Sequence, residues 1–596
     1  MKCLVNRHNG MHKIYVLKAV RKVFMISPVF FLMEYFFMAI AGISAGYLIY
    51  ADDKLFASVS NLINGNSSLI VNVVKAVIVW GGINLIYEIA GSVGGCLGEI
   101  YCYKVIEKIK LQIYNSITKI KGNDYEVPEI LTKLARVVRD TYAVRDFVNV
   151  VMDILVFYLP QFILTAVYLY KHTPILLAVW PCVIIPQIIC QYIKSRYYID
   201  YDEKIGELER KDEAYGKYLT SPIFVKDTIC FSAREFFLKK YRSNLGAKKK
   251  TIIEMKEKSV SMDGVCGLVN LIFSFIIYLG LIWLVIKHTV TISVVAAIIV
   301  AYENMVDMTN EIFSYRLGEV SESYGMVKNY FEFVEKYQSL PNTDSGKETI
   351  SEISKMEIQK VSFSYPQKEK AINDVSLLLE KNKTVAIVGE NGSGKTTLGK
   401  VIHGLYEPQR GKIFINDSSE YGTIAKSVIS QNYCQYKFTL GENIRISHPD
   451  RINENDCKTY EVLEKAGIVL NEKTFSDGID TILARDYGGV DLSGGQWQKV
   501  AIARGIYKDS QLIVMDEPTA AIDPNREFEL YSTLLEAARN RIGVIITHRL
   551  GIASHCDKIV FMKDGEILMA GTHEELLHNC EDYRKMWDAQ AINYAM

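Results

Sequence analysis

The chain has 596 residues, of which 68 are basic and 68 acidic, a formal net charge of +0. That balance leaves no basic footprint for nucleic acid, which is set aside as a partner. The length exceeds what one core organises, and long apolar runs fill the first half while the second is mixed, so two domains are expected, 1–340 and 341–596.

Lys13, Lys18, Arg21 and Lys22 precede an apolar stretch that is too long for a signal peptide and lacks a small-residue cleavage site, so it is read as a retained membrane helix. Apolar segments near 28–50, 69–90, 146–170, 174–193, 264–286 and 291–306 each approach the roughly 20 residues a bilayer core requires. Six spans are the simplest count; five is the alternative, if 291–306 is a buried helix. The basic N-terminal segment and the slightly acidic loop at Asp52, Asp53 and Lys54 put both termini in the cytosol. The 11 cysteines are scattered without a C-x-x-C pair, as reduced thiols facing a reducing compartment would be.

The outer loops, around Lys171–Pro174 and Lys287–Thr291, are short, whereas the inner ones, about 91–145 and 194–263, are long, charged and apolar at helical spacing. Folded as a hairpin, the second would reach roughly 50 Å beyond the bilayer. The turns near Gly122–Glu129 and Tyr215–Pro222 read either as solvated helix ends or as tips that hand motion to a cytosolic partner. In the sixth segment Glu303, Asp307 and Glu311 recur at i, i+4 and i+8. A carboxylate at the depth of Glu303 costs several kcal/mol against lipid. The stripe is therefore expected to face a water-filled cavity and attract cationic cargo, unless only Glu303 lies in the membrane. Apolar periodicity lapses from about 335 to 354, where the domain boundary is placed.

Beyond it, Met356 to Tyr365 alternates as an edge strand should and ends in Phe363-Ser364-Tyr365-Pro366; Tyr365 is the candidate adenine platform. The short apolar run Val385–Val388 leads into Gly389, Glu390, Asn391, Gly392, Ser393, Gly394, Lys395, Thr396 and Thr397, which fit G-x-x-x-x-G-K-[ST]. The glycines let consecutive N–H groups face a polyphosphate where a helix begins; Lys395 adds charge for the β- and γ-phosphates, and the Thr396 hydroxyl suits Mg²⁺. Leu492-Ser493-Gly494-Gly495-Gln496 opens an amphipathic helix, Trp497–Tyr507, with Ser493 as N-cap. A second phosphate-seeking helix start in a chain with one nucleotide site suggests that each serves the ATP of a partner subunit, hence a dimer. Leu512–Glu517 is a buried parallel strand ending in two carboxylates, Asp516 for the metal through water and Glu517 for the proton of the attacking water. His548 closes the run Val544–Ile546, placed to contact the γ-phosphate.

With these residues in hand, the chain resembles the ABC transporters, specifically exporter-type half-transporters that fuse a six-helix membrane domain to an ATPase domain. Gly389–Thr396 resembles the Walker A motif, Leu492–Gln496 the signature and Leu512–Asp516 the Walker B strand. Gln431 looks like the Q-loop glutamine, Glu517 the catalytic glutamate, Ala521–Asp523 the D-loop and His548 the switch histidine. The resemblance implies an α-helical six-span transmembrane domain joined to an α/β P-loop NTPase domain of ABC type. It implies ATP and Mg²⁺ as cofactors, with Thr396, Gln431 and Asp516 on the metal, and Ser493, Gly494, Gly495, Gln496 and Asp523 on nucleotide. It further implies alternating access in a homodimer, or a heterodimer, in a bacterial cytoplasmic membrane, in contact with lipid. Asp491–Gln498 and Tyr436–Ile444 look most like bacterial exporters of lantibiotics and other peptides. Where related drug and lipid exporters carry Gly-Glu-Arg-Gly before the signature, this chain has Asp486-Tyr487-Gly488-Gly489, with Asp486 as a substitute acid. With about 25 residues before the first span, no protease domain is expected. A peptide or other amphiphile is the expected cargo, with a lipid or drug exporter as the rival, and a membrane sensor with a signalling ATPase as the rival of another class.

Overall fold

The computed structural model describes residues 15–63, 70–172, 174, 181–287, 291–340, 352–366, 371–416, 424–451, 456–518 and 524–594. The chain divides into two compact units, Met1–Ile117 with Lys133–Gln338 and Thr118–Thr132 with Ser339–Met596.

The first unit is helical. Within hydrocarbon every backbone N–H and C=O must be satisfied internally, and a helix does this inside one segment. α1 (residues 15–26) leads to α2 (Pro28–Ile63), α3 (Ile70–Ile117), α4 (Pro128–Arg139), α5 (Ala143–Asp153) and α6 (Leu159–His172). Then follow α7 (Pro181–Thr220), α8 (Pro222–Cys230), α9 (Arg234–Ile286), α10 (Ile292–Asn310) and α11 (Leu317–Gln338). Among the described residues 5 stretches are long and apolar enough to cross a membrane, Pro28–Ile63, Ile70–Ile117, Ala143–His172, Arg234–Trp283 and Ile292–Asn310. The segment near 291–306 is among them, and the expected span 174–193 lies partly outside the described residues. α3, α7 and α9 run 48, 40 and 53 residues. At 1.5 Å per residue they are about 60–80 Å long against about 30 Å of hydrocarbon. Much of what reads as long inner loops is therefore continuous extension of these helices.

Close packing and buried polarity organise this unit. A Cβ on Gly42 would strike the backbone of Phe157, and one on Gly46 would come within 2.7 Å of the Leu164 side chain, so α2 packs here at the close range that small residues permit. Tyr168, Ile277, Ile298 and Met305 fill the adjoining core. Arg145 Nη2 donates to Glu34 Oε1 at 2.7 Å, both side chains 5% exposed, and the guanidinium lies 5.4 Å from the Tyr101 ring centroid. Removing either partner would strand the other charge in the interior at a cost of about 3–5 kcal/mol. Of the acidic stripe, Glu303 and Asp307 are exposed, with Tyr278 donating its hydroxyl to Glu303 at 3.0 Å. Glu311 opens a π-helical turn, Glu311–Arg316, and pairs with Arg316 at 3.2 Å.

The second unit holds two sheets. β1 (Lys355–Phe363) lies between β2 (Ile372–Glu380) and β4 (Arg410–Ile415) in an antiparallel three-stranded sheet. The edge-strand expectation for this segment is thus corrected: alternation reports one buried face and leaves the number of paired neighbours open. The other sheet has the order β5-β6-β7-β3-β8-β9, with β5 (Lys426–Ile429), β6 (Leu512–Asp516), β7 (Ile542–Ile546), β3 (Thr384–Gly389), β8 (Lys558–Lys563) and β9 (Glu566–Gly571). All its pairings are parallel except β8 with β9. The helices of this unit are α12 (Lys395–His403), α13 (Leu440–Arg445), α14 (Asp456–Lys465), α15 (Gly494–Tyr507), α16 (Pro524–Ala537), α17 (Leu550–Ala553), α18 (His573–Asn579) and α19 (Glu581–Tyr594). β6 and β7 are buried at every residue, which is why both read as unbroken apolar runs. The parallel register of β6, β7 and β3 brings their C-terminal ends together, where open α/β sheets bind ligands.

Thr118–Thr132 packs into this second unit. Asn123 and Glu407 exchange two hydrogen bonds, side-chain amide to backbone in both directions, at 3.0 Å each, and Lys121 pairs with Glu407 at 2.8 Å. The Tyr406 hydroxyl donates to Glu126, and the Tyr406 ring stacks on Phe363 with centroids 4.9 Å apart.

Candidate nucleotide site

β3 ends at Gly389, and the loop that follows enters α12 (Lys395–His403). The N-cap, Gly394, has φ 100°, and a Cβ there would press on the carbonyl of Ala371, so glycine is required by both backbone and space. The Lys395 ammonium is held over the loop by the carbonyls of Gly389 and Glu390, at 2.8 and 2.7 Å. Burial lowers its pKa, and the nearby carboxylates of Glu517 and Asp516 oppose that shift. Ser393 is buried within the same loop, and among the described residues its hydroxyl has no hydrogen-bond partner. A buried polar orphan beside a buried ammonium fits a loop shaped around an anion.

α12 carries Thr396 to the end of β6, where its hydroxyl donates to Asp516 at 3.3 Å. Burial raises the Asp516 carboxyl above its ordinary value, with the Thr396 hydrogen bond acting against the rise. Glu517, one residue further, sits at φ 46°, a backbone state that costs a side-chain-bearing residue about 1–3 kcal/mol. Both its carboxylate oxygens are engaged: Gln431 Nε2 donates to one at 2.6 Å, and His548 Nδ1 is 3.0 Å from the other. The carboxylate is thereby fixed between Gln431 and His548. On the far side Tyr365 shares a hydrogen bond with Thr397 at 3.2 Å and stands perpendicular to Phe363, ring centroids 5.3 Å apart.

These groups border one cavity of about 900 Å³. It brings together Tyr365, Gly389, Glu390, Asn391, Gly392, Gly394, Lys395, Thr396, Thr397, Gln431, Glu517 and His548. Asp516 and Ser393 are not among the residues that line it. Ser493, Gly494, Gly495 and Gln496 do not line it; they begin α15 (Gly494–Tyr507), three residues ahead of the expected start. There Ser493 Oγ accepts from Gln496 N at 3.3 Å and Gln496 Oε1 accepts from Ser493 N at 2.9 Å, a reciprocal capping box. Thr439 and Glu442 make the same device at the start of α13 (Leu440–Arg445). Asp486 pairs with Lys437 at 2.6 Å on the surface. Ala521–Asp523, and with them the candidate nucleotide contact Asp523, lie outside the described residues. Three cavity residues were not anticipated, Ala371 ahead of β2 and Met586 and Gln590 on α19 (Glu581–Tyr594). No local motif marks the latter two, because their proximity arises from packing of the chain's last helix.

Comparison with known proteins agrees with this geometry. Residues 372–520 match the ABC transporter family. Over 593 residues, 96% of this chain and 94% of the relative, the sequence is 26% identical to the subtilin transport ATP-binding protein SpaT of Bacillus subtilis. It is 33% identical over 270 residues to the nisin transport ATP-binding protein NisT of Lactococcus lactis subsp. lactis, 44% of this chain and 45% of that one. With the ATP-dependent lipid A-core flippase of Salmonella typhimurium it shares 35% identity over 243 residues, 39% of this chain and 41% of the flippase. The fold superposes on a bacterial Atm1-family ABC exporter solved with ATP bound, at a TM-score of 0.76 and 18% identity, covering 99% of both chains. Residues 372–520 are an ABC transporter domain, the whole chain has the fold of an ABC exporter, and the protein is an ATP-hydrolysing translocase.

Proposed function

We propose that this exporter moves a peptide, in the manner of lantibiotic exporters, across a bacterial cytoplasmic membrane as a dimer of two copies of the chain, with a membrane domain at 1–340 and an ATPase domain at 341–596. The observation that carries the peptide reading is the reach of the match to the subtilin transport protein, which covers 96% of this chain and so includes the membrane half. The match to the lipid flippase has higher identity but covers 39% of the chain, the extent of an ATPase domain. Cargo is selected in the membrane half, so extent outweighs identity here.

In this reading the loop Gly389–Thr397 wraps the phosphates, Lys395 supplies the full positive charge, and Tyr365 offers its ring to the base. Base stacking contributes about 1–3 kcal/mol with little discrimination between bases. Thr396, Asp516 and Gln431 would hold Mg²⁺. When bound, Mg²⁺ neutralises charge on the phosphates. Glu517 takes the proton of the attacking water, and Gln431 and His548 hold its carboxylate in place. Ser493, away from its own chain's cavity, completes the site of the partner subunit. Closure of the pair around two ATP molecules turns the membrane cavity outward, and hydrolysis resets it.

The reading is tested with purified chain in proteoliposomes, measuring ATPase with a labelled cationic lantibiotic-type peptide and, separately, with a fluorescent phospholipid. Stimulation by the peptide and none by the lipid is expected. The reverse pattern assigns a lipid cargo, and no response to either, with intact basal hydrolysis, removes the peptide reading.

A further inference from the structure

His548 lies between β7 and the short helix α17 (Leu550–Ala553), in a turn that the local sequence secures only in part. The Arg549 N–H donates to the Thr547 hydroxyl at 3.0 Å, but Arg549, as N-cap of α17, makes no side-chain cap. The first N–H groups of any helix lack intrahelical acceptors, so the Leu550 N–H takes its acceptor from outside the helix. Gln590 of α19 supplies it. Its Oε1 accepts from the Leu550 N–H at 2.9 Å, and its Nε2 donates to the His548 carbonyl at 2.6 Å. One side-chain amide thus bridges the two sides of the turn that carries His548, 42 residues away, and it borders the nucleotide cavity as well.

We propose that Gln590 is a positioning residue for hydrolysis: its amide clamps the 548–550 turn and so sets the imidazole of His548 against Glu517, making the last helix of the chain part of the catalytic scaffold. The inference rests on the reading of His548 as a participant in hydrolysis. A neutral amide is needed, because one end must donate to a carbonyl while the other accepts from an N–H. Leucine satisfies neither, and glutamate keeps the acceptor while facing a carboxylate oxygen to the His548 carbonyl. A displacement of the imidazole on the ångström scale is enough to slow the chemical step without touching the groups that bind ATP.

The test uses the full-length protein in detergent, with Gln590→Leu, Gln590→Glu, His548→Ala and the double variant Gln590→Leu/His548→Ala. Steady-state turnover, KM for ATP, thermal midpoint and single-turnover hydrolysis of radiolabelled ATP, which resolves slow residual rates, are measured for each. Both Gln590 variants should lose about tenfold in kcat with KM within about twofold. In the His548→Ala background, Gln590→Leu should cost less than about twofold more, because the group it positions is gone. Parent-like kcat in Gln590→Leu overturns the proposal, and so does an equal loss in both backgrounds, which would mark a purely structural role. If His548→Ala alone turns over normally, the role of His548 itself fails; if it is slow while Gln590→Leu is not, only the clamp fails.

Discussion

Glu517 is held in a left-handed backbone state with both carboxylate oxygens bonded, by Gln431 at 2.6 Å and His548 at 3.0 Å. Strain of this kind persists only where the surroundings over-determine it, and it concentrates at sites that must be pre-organised. Glu517→Gln keeps the shape and loses the proton acceptor, so turnover should fall by about 100-fold or more while ATP binding survives. Turnover and trapped nucleotide in purified protein check this, and near-normal turnover would remove Glu517 from the chemistry. A second residue-scale consequence concerns His403 at the end of α12, whose pKa burial lowers from 6.5 to about 4, with Lys426 and Lys508 adding to the effect. Below pH 6.5 the unfolded chain takes up a proton that the fold refuses, so this group's contribution falls as pH drops from about 6.5 to about 4 and then levels off. Each pKa unit corresponds to about 1.4 kcal/mol, so the loss amounts to about 3 kcal/mol. His403→Asn lacks that titration: relative to the parent, the variant should gain stability on acidification from pH 7 to pH 4, read as thermal midpoints of the two proteins. A difference independent of pH would contradict it.

At the scale of elements, the signature helix shows how a motif can be both structural and functional. Ser493 and Gln496 close a capping box at the start of α15, and such caps contribute about 1 kcal/mol, yet their own chain's nucleotide cavity is built without them. Ser493→Arg should therefore block ATP-dependent closure of two ATPase domains while the subunit still folds. Cysteine cross-linking between the domains, with and without ATP, reports it; unchanged ATP-dependent cross-linking would contradict the shared site. The phosphate loop, β6 and the Ser493 cap were legible in the sequence because each rests on short-range physics: glycines where a strand turns into a helix, an apolar strand ended by carboxylates, a hydroxyl at a helix start; the reciprocal bond from Gln496 emerged only in the structure. The central place of β1 was not, since alternation records one buried face and cannot count neighbours. Nor were the contributions of Met586 and Gln590, which depend on where a terminal helix packs. The ends of α3, α7 and α9 were equally hidden, because hydropathy marks where lipid stops and a charged helix continues without a break.

At the scale of the whole molecule, ATP use and cargo movement belong to one cycle only if hydrolysis at Glu517 drives flux through the membrane half. The peptide reading draws on a likeness that extends over 96% of the chain, and the ATPase reading on a cavity where loop, strand ends and switch turn converge. The rival of another class, a sensor whose ATPase gates signalling, would show peptide-stimulated hydrolysis without transport. The most direct measurement is uptake of a labelled cationic lantibiotic-type peptide into sealed inverted vesicles that contain either the parent chain or Glu517→Gln, with and without ATP. ATP-dependent accumulation in parent vesicles and none in Glu517→Gln vesicles is expected; peptide-stimulated hydrolysis with no accumulation in parent vesicles would contradict export.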